Sequence, residues 1–282
     1  IKGYCDFFPA YEMVDTTVGI HHSYTFGNAE IFFLDRCSNN PNPVARSFVH
    51  NEKRNKYYFD PPKDQYLFGP EQMEWLKEGL KNSTADWKFI ASGVPLNKAL
   101  IKLIYAGTYL QNIGWKENNG FRMAVGFAHY WAGHPYEMLN FHQWLEDEGI
   151  EDVIVISGDT HHNVMDDGKN AGLPELNASG LSVTETYLAY YLSLIGKLTG
   201  RFYLKKEIWN QGGNGIGNKN FKNAFGKVTI QGKEYVELSI VDEDNDVVSS
   251  FKVYHSSVEL NRRGKPKKNW VGMEGTLQPE IS

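Results

Sequence analysis

The stretch VIVISGDTHHNVMDD, residues 153–167, decides how the chain is read. Val153 to Ile156 are apolar without interruption, which suits a strand covered on both faces of a sheet. The run ends in Ser157 and Gly158, then delivers Asp159, His161 and His162, the densest group of metal-ligand side chains in the sequence. In open α/β sheets, ligands gather beyond the carboxyl ends of strands. A carboxylate and imidazoles at such a place suit zinc, iron, manganese or a mixed pair of ions. Gly158 is expected to supply the turn that aims Asp159 inward, with Ser157 satisfying that turn.

The same grammar extends outward on both sides. HPYEMLNFHQWLEDEG (134–149) places Pro135 at a helix start and Gly149 at its end, with Met138, Leu139, His142 and Leu145 on one face. GPEQMEWLKEGLKNS (69–83) repeats the pattern with Pro70 and the face Met73, Leu76 and Leu80, and predicts a strand at Trp87–Ala91 after it. GNAEIFFLDR (27–36) is a further strand candidate. Helices alternating with strands predict a central sheet with helices outside. FGKVTIQGKEYVELSIVDEDNDVVSSFKVY (225–254) alternates apolar and polar residues and breaks at Gln231-Gly232 and Asp244-Asn245, which predicts a three-stranded antiparallel meander. WNQGGNGIGNKNF (209–221) reads as loop, and residues 257–282 as a polar, basic tail. YLAYYLSLIGKL (187–198) is too short to span a bilayer and reads as a buried or groove-facing amphipathic segment.

Composition narrows the classes. A chain of 282 residues holds one large α/β domain or two small ones, and 41% hydrophobic residues suffice for a packed core. A net charge of −5 leaves no basic excess for nucleic acid. The one basic cluster, Arg262, Arg263, Lys265, Lys267 and Lys268, lies in the tail and reads as a solvated stretch. Cys5 and Cys37 lack CxxC spacing, and the sequence leaves their bonding open. The chain begins at Ile1 without a leader pattern, so a preceding segment is expected to have been removed. DEDND (242–246) lacks the glycine and distant glutamate of a calcium loop and reads as a hairpin turn, as do Asp166 and Asp167 before Gly168. GNGIGN (213–218) lacks dinucleotide-loop spacing. His129 and His134, in AHYWAGHP (128–135), sit near a helix start, where packing and hydrogen bonding are favoured over phosphate binding.

Several segments, in this order, resemble the alkaline phosphatase D-like (PhoD-like) metallophosphatases. They are FGNAEIFFLD (26–35), GPEQMEWLKEGLKNSTADWKFIASGVPL (69–96), HYWAGHPYEMLNFHQWLEDEGIEDVIVISGDTHH (129–162) with its Gly-Asp-x-His ending, and LPELNASGLS (173–182). The resemblance implies an α/β (α+β) metallophosphatase sandwich of two sheets flanked by helices, within residues 1–256. It implies hydrolysis of a phosphoester, mono- or diester, by hydroxide attack at a metal centre, and export to the periplasm, cell surface or medium. It implies Asp159 and His161 as metal-centre residues, His161 and His162 as catalytic ones, and divalent or mixed metal ions (Ca, Fe, Zn or Mn).

Two departures qualify that implication. The family's Trp-x-Gly segment usually carries an aspartate where this chain has Ala132 or a neighbour. The family's early Asp, Asn and His ligand motifs have no counterpart in residues 1–60. The chain is therefore expected to be the C-terminal half to two-thirds of such an enzyme, with the missing ligands on the same precursor or on another chain. Two function classes stand side by side: a phosphoesterase portion, and a phosphatase-like accessory or scaffold subunit whose apolar segment 181–198 and basic tail are contact surfaces. The sequence leaves membrane contact open.

Overall fold

A computed structural model describes residues 19–38, 44–114, 119–182, 186–200 and 202–258. Cys5, and with it any Cys5–Cys37 bond, lies outside the described residues, as does the basic tail beyond Val258. In chain order the strands are β1 His22–Phe26, β2 Ala29–Phe33, β3 Phe48–Asn51, β4 Lys56–Phe59, β5 Trp87–Ala91, β6 Val153–Ser157, β7 Asn163–Asp167, β8 Pro174–Ala178, β9 Gly212–Gly213, β10 Ala224–Gln231, β11 Tyr235–Asp242 and β12 Val247–Tyr254. The α-helices are α1 Pro70–Asn82, α2 Ile101–Asn112, α3 Asn119–Ala128, α4 Pro135–Asp147, α5 Thr186–Thr199 and α6 Leu204–Glu207.

Seven strands form the larger sheet in the order β1-β2-β5-β6-β8-β7-β9. Its centre, β2-β5-β6-β8, is parallel, while β1, β7 and β9 run antiparallel to their neighbours. The four parallel carboxyl ends therefore share one edge of the sheet. The continuous apolar run of β6 is explained by cover on both sides. On one face Ile154, with Trp87, Phe89, Met165 and Leu176, meets Val236, Leu238 and Ile240 of the three-stranded sheet β10-β11-β12. On the other, Val153 and Val155 pack with Phe32 and Ile90 under Met73, Leu76 and Leu80 of α1 and Met138, Phe141 and Leu145 of α4. Phe32, Trp87 and Phe141 are fully enclosed, and burying each such side chain contributes about 2–3 kcal/mol.

Helices α1 and α4 start and stop where the sequence signals place them. Pro70 and Pro135 occupy the first helical turn, and Gly149, at φ 65°, ends α4 in the left-handed region that glycine adopts freely. The meander turns at the two expected breaks. The helix pair α2 and α3, which the sequence reading did not anticipate, closes a further core of Leu100, Ile104, Ala124, Ala128, Ile208 and Trp209. The expected loop at 209–221 pairs Gly212–Gly213 as β9 against β7.

One expectation is corrected. The apolar segment 187–198 belongs to α5, and five of its large side chains stand exposed. Tyr187, Tyr191, Leu192, Ile195 and Leu198 are exposed, while Ala189 and Ser193 are buried. Ala189 and Ser193, with the half-buried Tyr190 and Leu194, turn toward the body, and among the described residues the exposed strip is neither buried nor seated in a groove.

Candidate active site at the carboxyl edge of the sheet

Strand β8 lies between β6 and β7, so residues 158–162 must cross the end of β8 to carry the chain from β6 to β7. The side chains at the end of β8 hold that crossing. Asn177 donates from Nδ2 to the Gly158 carbonyl at 2.8 Å and to Ser157 Oγ at 3.0 Å. Its Oδ1 accepts from Thr160 Oγ1 at 2.5 Å and from Ser179 Oγ at 3.1 Å. Ser179 Oγ also donates to the His162 carbonyl at 3.1 Å. Asn177 is fully buried and spends both ends of its amide on this loop, which sets the loop's path while leaving its outer side chains free of structural duty.

Those outer side chains are Asp159 and His161, both exposed. Both backbones are left-handed, at φ 73° and 59°. Non-glycine residues in that region are uncommon, and they concentrate where surrounding structure enforces them, as at functional sites. The geometry corrects the role expected of Gly158. Its φ is not positive, and a Cβ there would meet only ordinary contacts, at 3.7 Å from the Gly93 carbonyl oxygen. The turn is made by Asp159 and His161 themselves. Ser157 Oγ points back into the protein and donates to Glu175.

His162 faces inward. Its Nδ1 is enclosed and has no hydrogen-bond partner among the described residues, and burial, with the neighbouring His161, pushes its pKa down to about 4.

Two further groups act on this edge. Burial lowers the pKa of His129, with the charge of Arg36 lowering it further and that of Asp159 opposing. Arg36 and Asp159 thus lie close enough to His129 for both charges to be felt. Arg36 went unread in the sequence, although it follows β2 and the rule that points to Asp159 points equally to it. Asp35, beside it, is buried. Burial alone would raise its pKa, but hydrogen bonds from Ser38 and from the Ile20 and Cys37 amides hold the carboxyl below its usual range. It is an anchor for the segment after β2.

The Trp-Ala-Gly segment is fixed from behind. Trp131 Nε1 donates to Glu137 Oε2 at 2.8 Å, and Glu137 also accepts from the Leu67 and Gly69 amides at 3.0 Å each. His134 is enclosed, its Nδ1 is 3.2 Å from the Tyr130 carbonyl oxygen, and burial pushes its pKa down to about 4. Ala132 is fully buried among the residues of the α2–α3 core.

Asp159 and His161 offer a hard carboxylate and an imidazole, a donor pair suited to a transition-metal or mixed centre. Among the described residues no group of three or more His, Cys, Asp or Glu converges to hold an ion. A closed site takes about four to six ligands, so this edge fits one side of such a centre.

A family model described as PhoD-like phosphatase matches residues 1–188. Among solved structures the chain is similar to one described as "Structure of PhoD", at 15% identity and a TM-score of 0.50, covering 84% of this chain and 42% of that one. It is also similar to the purple acid phosphatase PPD1 from yellow lupin (Lupinus luteus) seeds, at 11% identity and a TM-score of 0.42, covering 86% of this chain and 34% of that one. Among curated proteins none matches. The chain thus spans 42% of the length of the PhoD structure it matches, and the likeness to PhoD agrees with the two-sheet sandwich flanked by helices described above.

Proposed function

The chain belongs to the PhoD-like phosphatases, and from that membership we propose that it takes part in metal-dependent phosphoester hydrolysis, with the 158–162 crossing as its contribution to the active centre. The observation that carries this reading is the pair of outward, left-handed residues Asp159 and His161 at the carboxyl end of the central strand β6, held by Asn177. Asp159 and His161 would hold the metal. When bound, a metal polarises the phosphoryl oxygens and makes a nucleophile available near neutral pH. Arg36, which acts on the same neighbourhood as Asp159 through His129, would orient an anionic phosphoester by charge. The imidazole of His162, half-buried with its Nδ1 enclosed and its pKa lowered by burial, would keep the inner side of the loop free of positive charge. The substrate is a phosphomonoester or diester. The family's habit supports export from the cell, and among the described residues no helix is long and apolar enough to cross a membrane.

The test is Asp159→Asn in the full chain. Metal content by elemental analysis and hydrolysis of p-nitrophenyl phosphate and its bis-ester are expected to fall together, with the circular dichroism spectrum and unfolding midpoint retained. Normal metal loading of that variant would sink the ligand assignment. A second reading, a phosphatase-like accessory subunit, is favoured by Ala132. That alanine is buried in the core, and it or a neighbour stands where the resembling family carries an aspartate. Wild-type chain that neither binds metal nor hydrolyses either ester would move the conclusion to that reading.

A further inference from the structure

The 158–162 crossing is held from inside the sheet by a chain of hydrogen bonds whose direction is fixed at every link. The Gly158 carbonyl can only accept, so the side-chain nitrogen of Asn177 must face it, at 2.8 Å. The same nitrogen lies 3.0 Å from Ser157 Oγ, so the serine oxygen accepts there. A serine hydroxyl has one proton to give, and with its oxygen turned to a donor that proton goes to Glu175 Oε1, at 2.5 Å. Oε1 accepts in addition from the Leu96 amide at 3.0 Å. At the other end Asn177 Oδ1 accepts from Thr160 Oγ1 at 2.5 Å, and Thr160 stands between Asp159 and His161. Glu175, Ser157 and Asn177 are all buried.

The base of this chain is costly. A carboxyl group enclosed in a sheet loses its hydration, which an apolar side chain of like volume would not. Its second oxygen meets no partner among the described residues, so Glu175 makes its hydrogen bonds through Oε1 alone, to the segments that leave β5 and β6. Strand register gives these bonds their reach. β6 and β8 pair with Val155 beside Glu175 and Ser157 beside Asn177, and side chains two apart on a strand share a face. The acid, the hydroxyl and the amide therefore stand on one face and lead toward the carboxyl edge. Buried polar groups joined in this way specify a single arrangement. Building on the metal-binding role given above to Asp159 and His161, we propose that Glu175 and Ser157 are positioning residues of the active centre. Glu175 takes the serine proton, the serine then holds the Asn177 amide with its oxygen toward Thr160, and the loop is kept in the form that displays Asp159 and His161.

The experiment compares Ser157→Ala, Glu175→Met, the two together and Glu175→Gln with the wild-type full chain. Amide hydrogen exchange is followed without metal, Mn2+ binding by calorimetry, and kcat and KM with p-nitrophenyl phosphate. Ser157→Ala and Glu175→Met should each speed exchange at residues 158–162 on the order of tenfold, with α1 and α4 changed less. Mn2+ affinity should fall about ten- to a hundredfold, and kcat should fall by a larger factor than KM rises. The double variant should be no worse than either single one, because both break the same chain. Glu175→Gln should keep loop exchange and Mn2+ affinity near wild type, since its amide oxygen can take the place of Oε1. Wild-type loop exchange and Mn2+ affinity in both single variants would overturn the proposal, as would additive losses or a glutamine variant as impaired as the methionine one. Ser157→Ala, which removes a single oxygen atom, keeps the test open if Glu175→Met does not fold. Exchange needs no metal. A wild type that fails to bind Mn2+ therefore overturns the metal reading of Asp159 and His161, and faster loop exchange in the variants still supports the positioning of the loop by Glu175 and Ser157.

Discussion

Ser157 at the end of β6 donates a hydrogen bond of 2.5 Å to Glu175 on β8, and the Leu96 amide donates to the same oxygen, Oε1, at 3.0 Å. Glu175 is fully buried between the sheet's central strands, and its Oε2 meets no partner among the described residues. A charged carboxylate would be costly there. Burial pushes the pKa up to about 8 against the two hydrogen bonds, with the charge of Asp166 adding to the rise. Burial thus favours the protonated carboxylic acid near neutral pH.

The consequence for stability has a definite sign. The folded pKa stands above the ordinary 4.5, so the folded state keeps a proton that the unfolded chain loses. The contribution is complete below about pH 4.5 and is lost as pH rises to about 8, a few kcal/mol in all. His134 and His142, held neutral by burial with pKa values near 4 and 3, act oppositely: their contribution is present above about pH 6.5 and lost as pH falls. Between pH 6.5 and 8 Glu175 therefore governs. Glu175→Gln should level the decline of the urea midpoint across that window, whereas parallel profiles for the two proteins would show the acid to be ionised already.

Asn177→Leu removes the four side-chain hydrogen bonds that shape the 158–162 crossing. Stability should fall by about 1–3 kcal/mol. Metal affinity and hydrolysis should fall ten- to a hundredfold, as for residues that orient a ligand from behind, with KM for the ester changing less than kcat. Loss of stability with metal affinity and turnover intact would show that Asp159 and His161 keep their places without it.

Gly133→Ala tests the Trp-Ala-Gly segment. A Cβ at this position would overlap the Ala128 carbonyl oxygen at the end of α3. The backbone must shift, at about 2–3 kcal/mol. The shift should be read in the tryptophan fluorescence of Trp131, whose indole is fixed to Glu137. An unfolding midpoint equal to wild type would mean that the segment gives way freely.

The sequence was most legible where hydrophobic period and punctuation agree. Proline and glycine bracket α4, the apolar run of β6 follows, and the meander alternates cleanly. The period of helix α2 is hidden because the face opposite its buried residues Ile101, Leu103, Ile104, Gly107 and Thr108 carries Tyr105, Ala106 and Tyr109, with Lys102 its one charged residue. Strands β7 and β8 were missed for a different reason. Asn163 and Asp166 on β7, and Glu175 and Asn177 on β8, are polar and buried, so alternation does not separate core from solvent. Asp166 looked like a turn residue. It sits inside β7 and accepts hydrogen bonds from the Gly168, Asn170 and Ala171 amides to close the hairpin behind it. Local pattern fails first where polar groups are spent on shaping a site. The Asp159–His161 cluster was visible as residue types, while the left-handed backbone that displays it depends on Asn177, eighteen residues beyond Asp159 in the chain.

Strand order has a bearing on how the protein comes to exist. Residues 174–178 leave the ribosome after β6 and β7, yet they end up between those two strands. The earlier pair cannot zip together as a hairpin without excluding the later one. A slot must stay open in the nascent sheet until β8 arrives, and non-local insertions of this sort are slow compared with helix or hairpin formation. The displaying loop therefore takes its shape only once β8 is in place, since Asn177 on that strand holds it.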